Sequence, residues 1–302
     1  MKLAIIETED GAKHTFLYSG KFYDLQEYLG INIESGSRTS LSLLMSKISK
    51  AGPVDPDDLR GVPEYSPLGY HIPVSYVNQI RDFYSFEEHV SRAKAARGVE
   101  FPKEWYEFPA YYYSGTSALY ASDQDVPYPS FTKELDFELE VAAVIAKEGK
   151  NIPKSEAWNY IFGFMLANDW SARDQQRKEN KIGLGPSKSK DFATSFGRIL
   201  VTADELKSRM NKDGQIDEDV WAKINGELFT KNNLKTIYWS FQDMISWAST
   251  DTTLRPGDII MSGTVGGGCI LEQGNEHREW LKRGDTVILG STTLGELHSR
   301  IV

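Results

Sequence analysis

Cysteine is nearly absent from this chain. The single thiol, Cys269, rules out an internal disulfide and fits a reducing compartment. Histidine is scarce, with five in 302 residues, and no spacing of His and Cys suits a zinc site. No apolar run approaches the ~18 residues of a membrane helix. The N-terminal Leu3-Ala-Ile-Ile6 stretch turns acidic at once, too short for the apolar region of a signal peptide. A soluble, cytoplasmic protein is the expectation. Lys/Arg-rich runs are missing and the net charge is −9, so nucleic acid is not an expected partner. An acidic protein also does not attract an anionic substrate, which would need a local cluster of cations. There is no G-x-S-x-G elbow for Ser/His/Asp hydrolysis. The Gly-rich stretch 261–268 lacks both the phosphate-loop Gly-Lys-Ser/Thr and a following helix, so nucleotide binding finds little support.

What remains is ordinary globular composition, 40% hydrophobic and 25% charged, which argues against disorder. Residues 3–24 read as short strands joined at Glu9-Asp10-Gly11 and Ser19-Gly20. Leu41, Leu44, Met45 and Ile48 hold helical spacing over 39–51, and Gly52-Pro53 stops that helix. Residues 53–70 read as a Pro/Asp/Gly-rich connector. A small β-rich unit over 1–70 and a larger one over 71–302 are therefore expected. Ser85-Phe-Glu-Glu88 predicts a capping box opening a helix that ends near Gly98. Leu135–Ile145 and Ile161–Ala167 predict strands, and Ser240–Ala248 a helix. Arg255–Asp258 and Lys282–Asp285 predict turns that deliver apolar strands. No internal repeat of 20–50 residues occurs.

The segment Leu135–Val141 is the most unusual. Alternation along one strand would place Asp136, Glu138 and Glu140 on a single face with no basic residue in the segment to offset them. A hard cation would offset them, and carboxylate oxygens suit Mg²⁺ or Ca²⁺. A solvated outer strand face is the plain alternative. An apolar strand then ends at Asn168-Asp169, where Asp169 could be a third ligand or merely a helix cap. Arg173 and Gln176 share one face of the following turn, and Arg suits carboxylate recognition. His89 sits beside an acidic helix start and could take a proton from water near neutral pH, or simply be a packed histidine.

Together these pieces resemble the fumarylacetoacetate hydrolase family. The resemblance runs best from about Arg81 to Leu206. It rests on Phe137-Glu-Leu-Glu140, on Asn168-Asp-Trp-Ser-Ala-Arg-Asp174 with Gln176, on Leu184-Gly-Pro186 followed by Lys190, and on Ser262-Gly-Thr264 with Leu271-Glu272. It implies a mixed α/β, mainly β fold: a rolled mixed β-sandwich catalytic domain with a small SH3-like N-terminal domain, usually as a homodimer. It implies Asp82, Glu138, Glu140 and Asp169 as ligands of Mg²⁺, Ca²⁺ or Mn²⁺. His89 would activate water with Glu272 as its partner, and Arg173, Gln176 and Lys190 would hold substrate and the developing oxyanion. Tyr84, Arg97, Thr264 and either Tyr112 or Tyr113 would contact substrate. The implied reaction is hydrolytic cleavage of a carbon–carbon bond in a small anionic dioxo-acid. Oxaloacetate decarboxylation, isomerisation of a hydroxydiene-dioate on the same site, and non-catalytic metal and ligand binding are the alternatives.

Overall fold

The structure is a computed structural model that describes residues 1–33, 36–273 and 279–302. It is mixed α/β and mainly β, as expected. One 13-stranded mixed sheet faces a five-stranded sheet, and a two-stranded ribbon pairs Leu135–Asp136 with Ser171–Ala172. The centre of the large sheet is Leu139–Ile145, antiparallel on one side to Ile161–Asp169 and on the other to Ile259–Met261. Ile80–Phe83 runs parallel beside Ile259–Met261, and Tyr111–Ser114 closes that edge.

The residues of Leu139–Ile145 are apolar apart from Glu140, because both faces of this strand are covered. Val141, Ala143 and Ile145 point into a core shared with Val220, Ala222, Val287, Leu289 and Leu297 of the five-stranded sheet. Ala142 and Val144 point the other way, against Leu41, Leu44, Met45 and Ile48 of the helix Arg38–Ala51. Three layers result, with the site-bearing strands in the middle.

The N-terminal strands Lys2–Thr8, Gly11–Tyr18 and Lys21–Asp24 form the expected meander. Lys2–Thr8 also bonds to Leu200–Thr202, so the sheet continues unbroken from the N-terminal segment into the rest of the chain. The stretch expected as a connector carries a short 3-10 helix, Pro56–Leu59, and two short strands that pair back onto the meander. None of the helices among the described residues is long and apolar enough to cross a membrane.

Two local expectations need correction. Leu135–Ile145 is not one strand; it breaks between Asp136 and Leu139, so the three carboxylates do not share a face. Asp136 leaves the row because its oxygens accept from the backbone N–H groups of Ile270 and Leu271 and from Arg173. The helix Glu87–Ala96 begins without the Ser85 capping box. Ser85 is buried and its hydroxyl instead donates to the Met244 sulfur. By contrast, Ser240 and Asp243 do form a capping box on the helix Phe241–Ala248.

Candidate active site

Three strand ends of the large sheet bring the acidic residues together. Asp82 lies on Ile80–Phe83, Glu140 on Leu139–Ile145, and Asp169 ends Ile161–Asp169. One ligating oxygen from each lies within 4.8 Å of one from each of the others. All three side chains are buried. Each is half-satisfied in the same way. The Tyr112 hydroxyl shares its one proton between Asp169 Oδ2 at 2.5 Å and Asp82 Oδ2 at 3.1 Å, and the Gly263 N–H donates to Glu140 Oε2 at 3.1 Å. The other oxygens, Asp82 Oδ1, Glu140 Oε1 and Asp169 Oδ1, have no hydrogen-bond partner among the described residues. Buried carboxylate oxygens left this way are strongly unfavourable without a counter-charge. Burial pushes the Asp82 and Glu140 carboxyls well up, and neighbouring carboxylates add to the rise. A hard, oxygen-seeking divalent cation fits this donor set.

Glu138 differs from these three. Burial opposes its ionisation, but Lys190 and Arg173 beside it hold its carboxyl below the ordinary range. Lys190 Nζ lies 2.5 Å from Glu138 Oε2 and also donates to Asp169 Oδ2. Arg173 reaches Glu138 Oε1 at 2.7 Å and Asp136 Oδ2 at 2.8 Å, and donates to Gln176 Oε1 at 3.2 Å. Arg173 is thus taken up by protein carboxylates rather than by the cavity alone. The carbonyl oxygen of Gln176 also accepts from Arg97 at 2.9 Å.

His89 and Glu272, 183 positions apart, meet at 2.7 Å between Nδ1 and Oε1. Glu272 Oε2 is fixed by the Gly267 N–H at 2.8 Å, and the Cys269 thiol lies 3.4 Å from Oε1. Tyr84 stands edge-on to the His89 ring with centroids 5.2 Å apart, and its buried hydroxyl has no partner among the described residues.

These groups line one cavity of about 250 Å³. Its walls include Asp82, Tyr84, His89, Arg97, Tyr112, Glu138, Glu140, Arg173, Gln176, Lys190 and Thr264. Asp169 and Glu272 contact it through Tyr112 and Lys190, and through His89. The ambiguity between Tyr112 and Tyr113 is resolved by strand alternation. Tyr112 faces the carboxylates, whereas Tyr113 is 58% exposed and lies under the Arg81 guanidinium, away from the cavity.

Sequence reasoning missed Glu179. This buried residue accepts from the N–H groups of Ser187 and Ser189 and from the Ser189 hydroxyl, clamping the loop that delivers Lys190. The signal was present as Arg173, Gln176 and Glu179, three apart on a highly polar helix, with all three buried. Asn180, Gly185 and Pro186 complete the rim.

Residues 78–302 match the family described as fumarylacetoacetate (FAA) hydrolase C-terminal. A fumarylacetoacetase of Oryza sativa subsp. japonica is 31% identical over 281 residues, covering 73% of this chain and 65% of the rice protein. A mitochondrial oxaloacetate tautomerase of Homo sapiens is 30% identical over 206 residues, covering 68% of this chain and 62% of that protein. The chain thus spans somewhat under two thirds of the length of these curated relatives. Among solved structures, a fumarylacetoacetate hydrolase from psychrophilic Exiguobacterium antarcticum shares the fold with a TM-score of 0.75 at 21% identity, over 100% of this chain and 99% of that one. A fumarylpyruvate hydrolase from Pseudomonas aeruginosa, in complex with Mn²⁺ and pyruvate, does so with a TM-score of 0.61 at 23% identity, over 76% and 91%. The match from residue 78 to the end, together with the shared fold, shows that the chain belongs to the fumarylacetoacetate hydrolase family.

Proposed function

We propose that this protein is a divalent-metal-dependent hydrolase that cleaves a carbon–carbon bond in a small anionic dioxo-acid of the acylpyruvate or fumarylacetoacetate kind. The observation that carries the reading is the pairing of two devices in one cavity. Three buried carboxylates each present an unpartnered oxygen, and a His–Glu pair stands on the same wall. Asp82, Glu140 and Asp169, with Glu138 beside them, would hold Mg²⁺, Ca²⁺ or Mn²⁺. When bound, the cation supplies Lewis acidity and orients adjacent oxo and carboxylate oxygens.

The rest follows from the chain's own groups. Glu272 accepts from His89 Nδ1–H, which fixes the tautomer and leaves Nε2 free to take a proton from water. The water oxygen adds to the remote carbonyl carbon. Lys190 donates to the alkoxide that forms, while Arg173 and Arg97, both donating to the neutral Gln176 amide, keep that wall cationic. The alkoxide collapses to a carboxylic acid as the carbon–carbon bond breaks, the electron pair of that bond leaves with the oxo-acid fragment as an enolate, and the proton that His89 took from water is returned to the enolate carbon. Tyr84, Arg97, Tyr112 and Thr264 are the substrate contacts.

A second reading keeps the site and changes the reaction to tautomerisation, decarboxylation or isomerisation. The oxaloacetate tautomerase among the relatives favours it. Proton transfer next to a carbonyl does not require water to attack, so it does not require His89. The test is a panel of acylpyruvates and oxaloacetate with Mg²⁺, following loss of the enol absorbance. Wild type is expected to cleave acylpyruvates. His89→Ala is expected to lose cleavage by a factor of ~10² or more, as for loss of a general base, while retaining Mg²⁺ binding and oxaloacetate turnover. Turnover of oxaloacetate with no cleavage of any acylpyruvate by wild type would replace the hydrolase reading with the second one, and equal cleavage by the two proteins would take His89 out of the chemistry. A homodimer belongs to the same proposal.

A further inference from the structure

We infer that Asp136 is a positioning residue that locks the His89–Glu272 pair and Arg173 into one rigid unit. The inference rests on the hydrolase reading of the site.

Asp136 is fully buried, lines no part of the cavity, and is not among the carboxylates with a free oxygen. Every acceptor position is used. Oδ1 takes the N–H groups of Phe137 and Ile270, both at 2.8 Å. Oδ2 takes the Leu271 N–H at 3.0 Å and Arg173 Nε at 2.8 Å. Ile270 and Leu271 are the first two residues of the 3-10 turn Ile270–Glu272, so the carboxylate grips the backbone immediately before Glu272. Through its second oxygen it grips the near edge of Arg173. Nη2 of that guanidinium, 2.8 Å from the same Asp136 oxygen, then reaches Glu138, and Nη1 reaches Gln176.

The segments joined here are distant in sequence: the ribbon strand Leu135–Asp136, the start of the helix Arg173–Ile182, and the turn at 270–272. A break in the strand after Asp136 is what makes the grip possible. Without it Asp136 would stay on the same face as Glu138 and Glu140. A third carboxylate in that row would add repulsion and leave two backbone N–H groups and a guanidinium edge unpaired. The arrangement ties the proton acceptor to the cationic wall. A shift of either by an ångström spoils alignment with a reacting carbonyl, at a rate cost of order 10².

Asp136→Asn keeps the shape but turns one acceptor oxygen into an amide N–H₂ donor. That donor meets either the Leu271 and Arg173 donors or the Phe137 and Ile270 donors. The experiment compares Asp136→Asn with wild type by three readouts. Mn²⁺ binding followed by electron paramagnetic resonance is expected to stay within about threefold. Acylpyruvate hydrolysis is expected to lose kcat by a factor of ~30 or more with KM within about threefold. The ¹⁵N shifts of the His89 ring are expected to move from one Nδ1–H tautomer to a mixture, because the backbone before Glu272 loses its anchor and the Gly267 N–H alone holds that carboxylate. A merely structural residue would lower the melting temperature and leave tautomer and kcat unchanged in the folded fraction, and that result overturns the inference. If Asp136→Asn does not fold, Asp136→Ser, which leaves room for a water to accept from the same amides, is measured in its place. Failure of both to fold assigns Asp136 to stability alone and also overturns it. If wild type hydrolyses no acylpyruvate, the hydrolase reading falls by itself, and the His89 tautomer then decides the role of Asp136.

Discussion

The chemistry of the cavity is set by how single carboxylates are satisfied. Glu140 gives one oxygen to Gly263 and leaves the other bare inside the protein. Burial, then Asp82, Glu138 and Asp169, push its carboxyl well up, so the metal-free fold must bury the charge or take up a proton to remove it. Glu140→Gln therefore has opposite effects in two conditions. Without metal, calorimetry is expected to show melting a few degrees above wild type, since ~1 kcal/mol moves a large domain by about 2–4 °C. With Mn²⁺, the upward shift shown by wild type is expected to vanish. A variant that melts lower and still responds to Mn²⁺ would remove Glu140 from the ligand set. Lys190 is the second decisive residue. Its ammonium lies against both Glu138 and Asp169 and is raised above its ordinary pKa by them, despite burial. Lys190→Ala is expected to lower kcat/KM for an acylpyruvate by a factor of ~10 to 10³, the range for loss of an oxyanion donor. Unchanged turnover would take Lys190 out of the chemistry. The sequence made these residues legible as types but not as partners. Nothing local to Glu138 announces that Arg173 and Lys190 neutralise it, because those contacts are closed by the fold.

At the level of elements, the loop after Ile259–Met261 does the positioning. Gly263 has φ +76°, and a Cβ there would lie 2.2 Å from the Phe83 carbonyl oxygen. The same residue's N–H holds Glu140. Gly263→Ala is thus expected to destabilise the chain by more than the ~1–2 kcal/mol of a left-handed alanine, and to weaken Mn²⁺ binding by displacing Glu140. Denaturant unfolding and a Mn²⁺ titration check both; wild-type values in the two would show that the loop shifts freely. Periodicity located the helix Arg38–Ala51 and the helix Phe241–Ala248 because their apolar faces and end signals are local. It failed at 135–145 and at Ser85 for a common reason. Asp136 and Ser85 each found a distant partner, and those bonds overrode the local pattern.

For the whole molecule, the expected outcome is a coupling of metal and stability. A cation that binds the folded chain alone stabilises it by about 2.7 kcal/mol at a hundredfold excess over its dissociation constant. Millimolar Mg²⁺ or Mn²⁺ is expected to raise the melting temperature by several degrees and a chelator to reverse it. A melting curve indifferent to both ions would count against the carboxylate cluster as a metal centre. The three-layer arrangement makes this coupling natural. The central strands carry the carboxylates at one end and the shared core along their length, so charge repulsion at the site acts directly on the best-packed part of the fold.

The sequence by itself determined the composition class, most of the strands and helices that mark themselves locally, and the identities of Asp82, His89, Glu140, Asp169, Lys190 and Glu272 as the residues worth watching. Hydrophobic period, capping and turn signals are short-range, and the Asn-Asp-Trp-Ser-Ala-Arg-Asp block is specific enough to point to a family. Tertiary structure alone decided that Tyr112 and not Tyr113 faces the site, that Asp136 leaves the acidic row to hold Arg173 and the turn before Glu272, and that Glu179 clamps the Lys190 loop. Those outcomes depend on which buried donors need an acceptor once distant segments have packed together. No window of neighbouring residues contains that information.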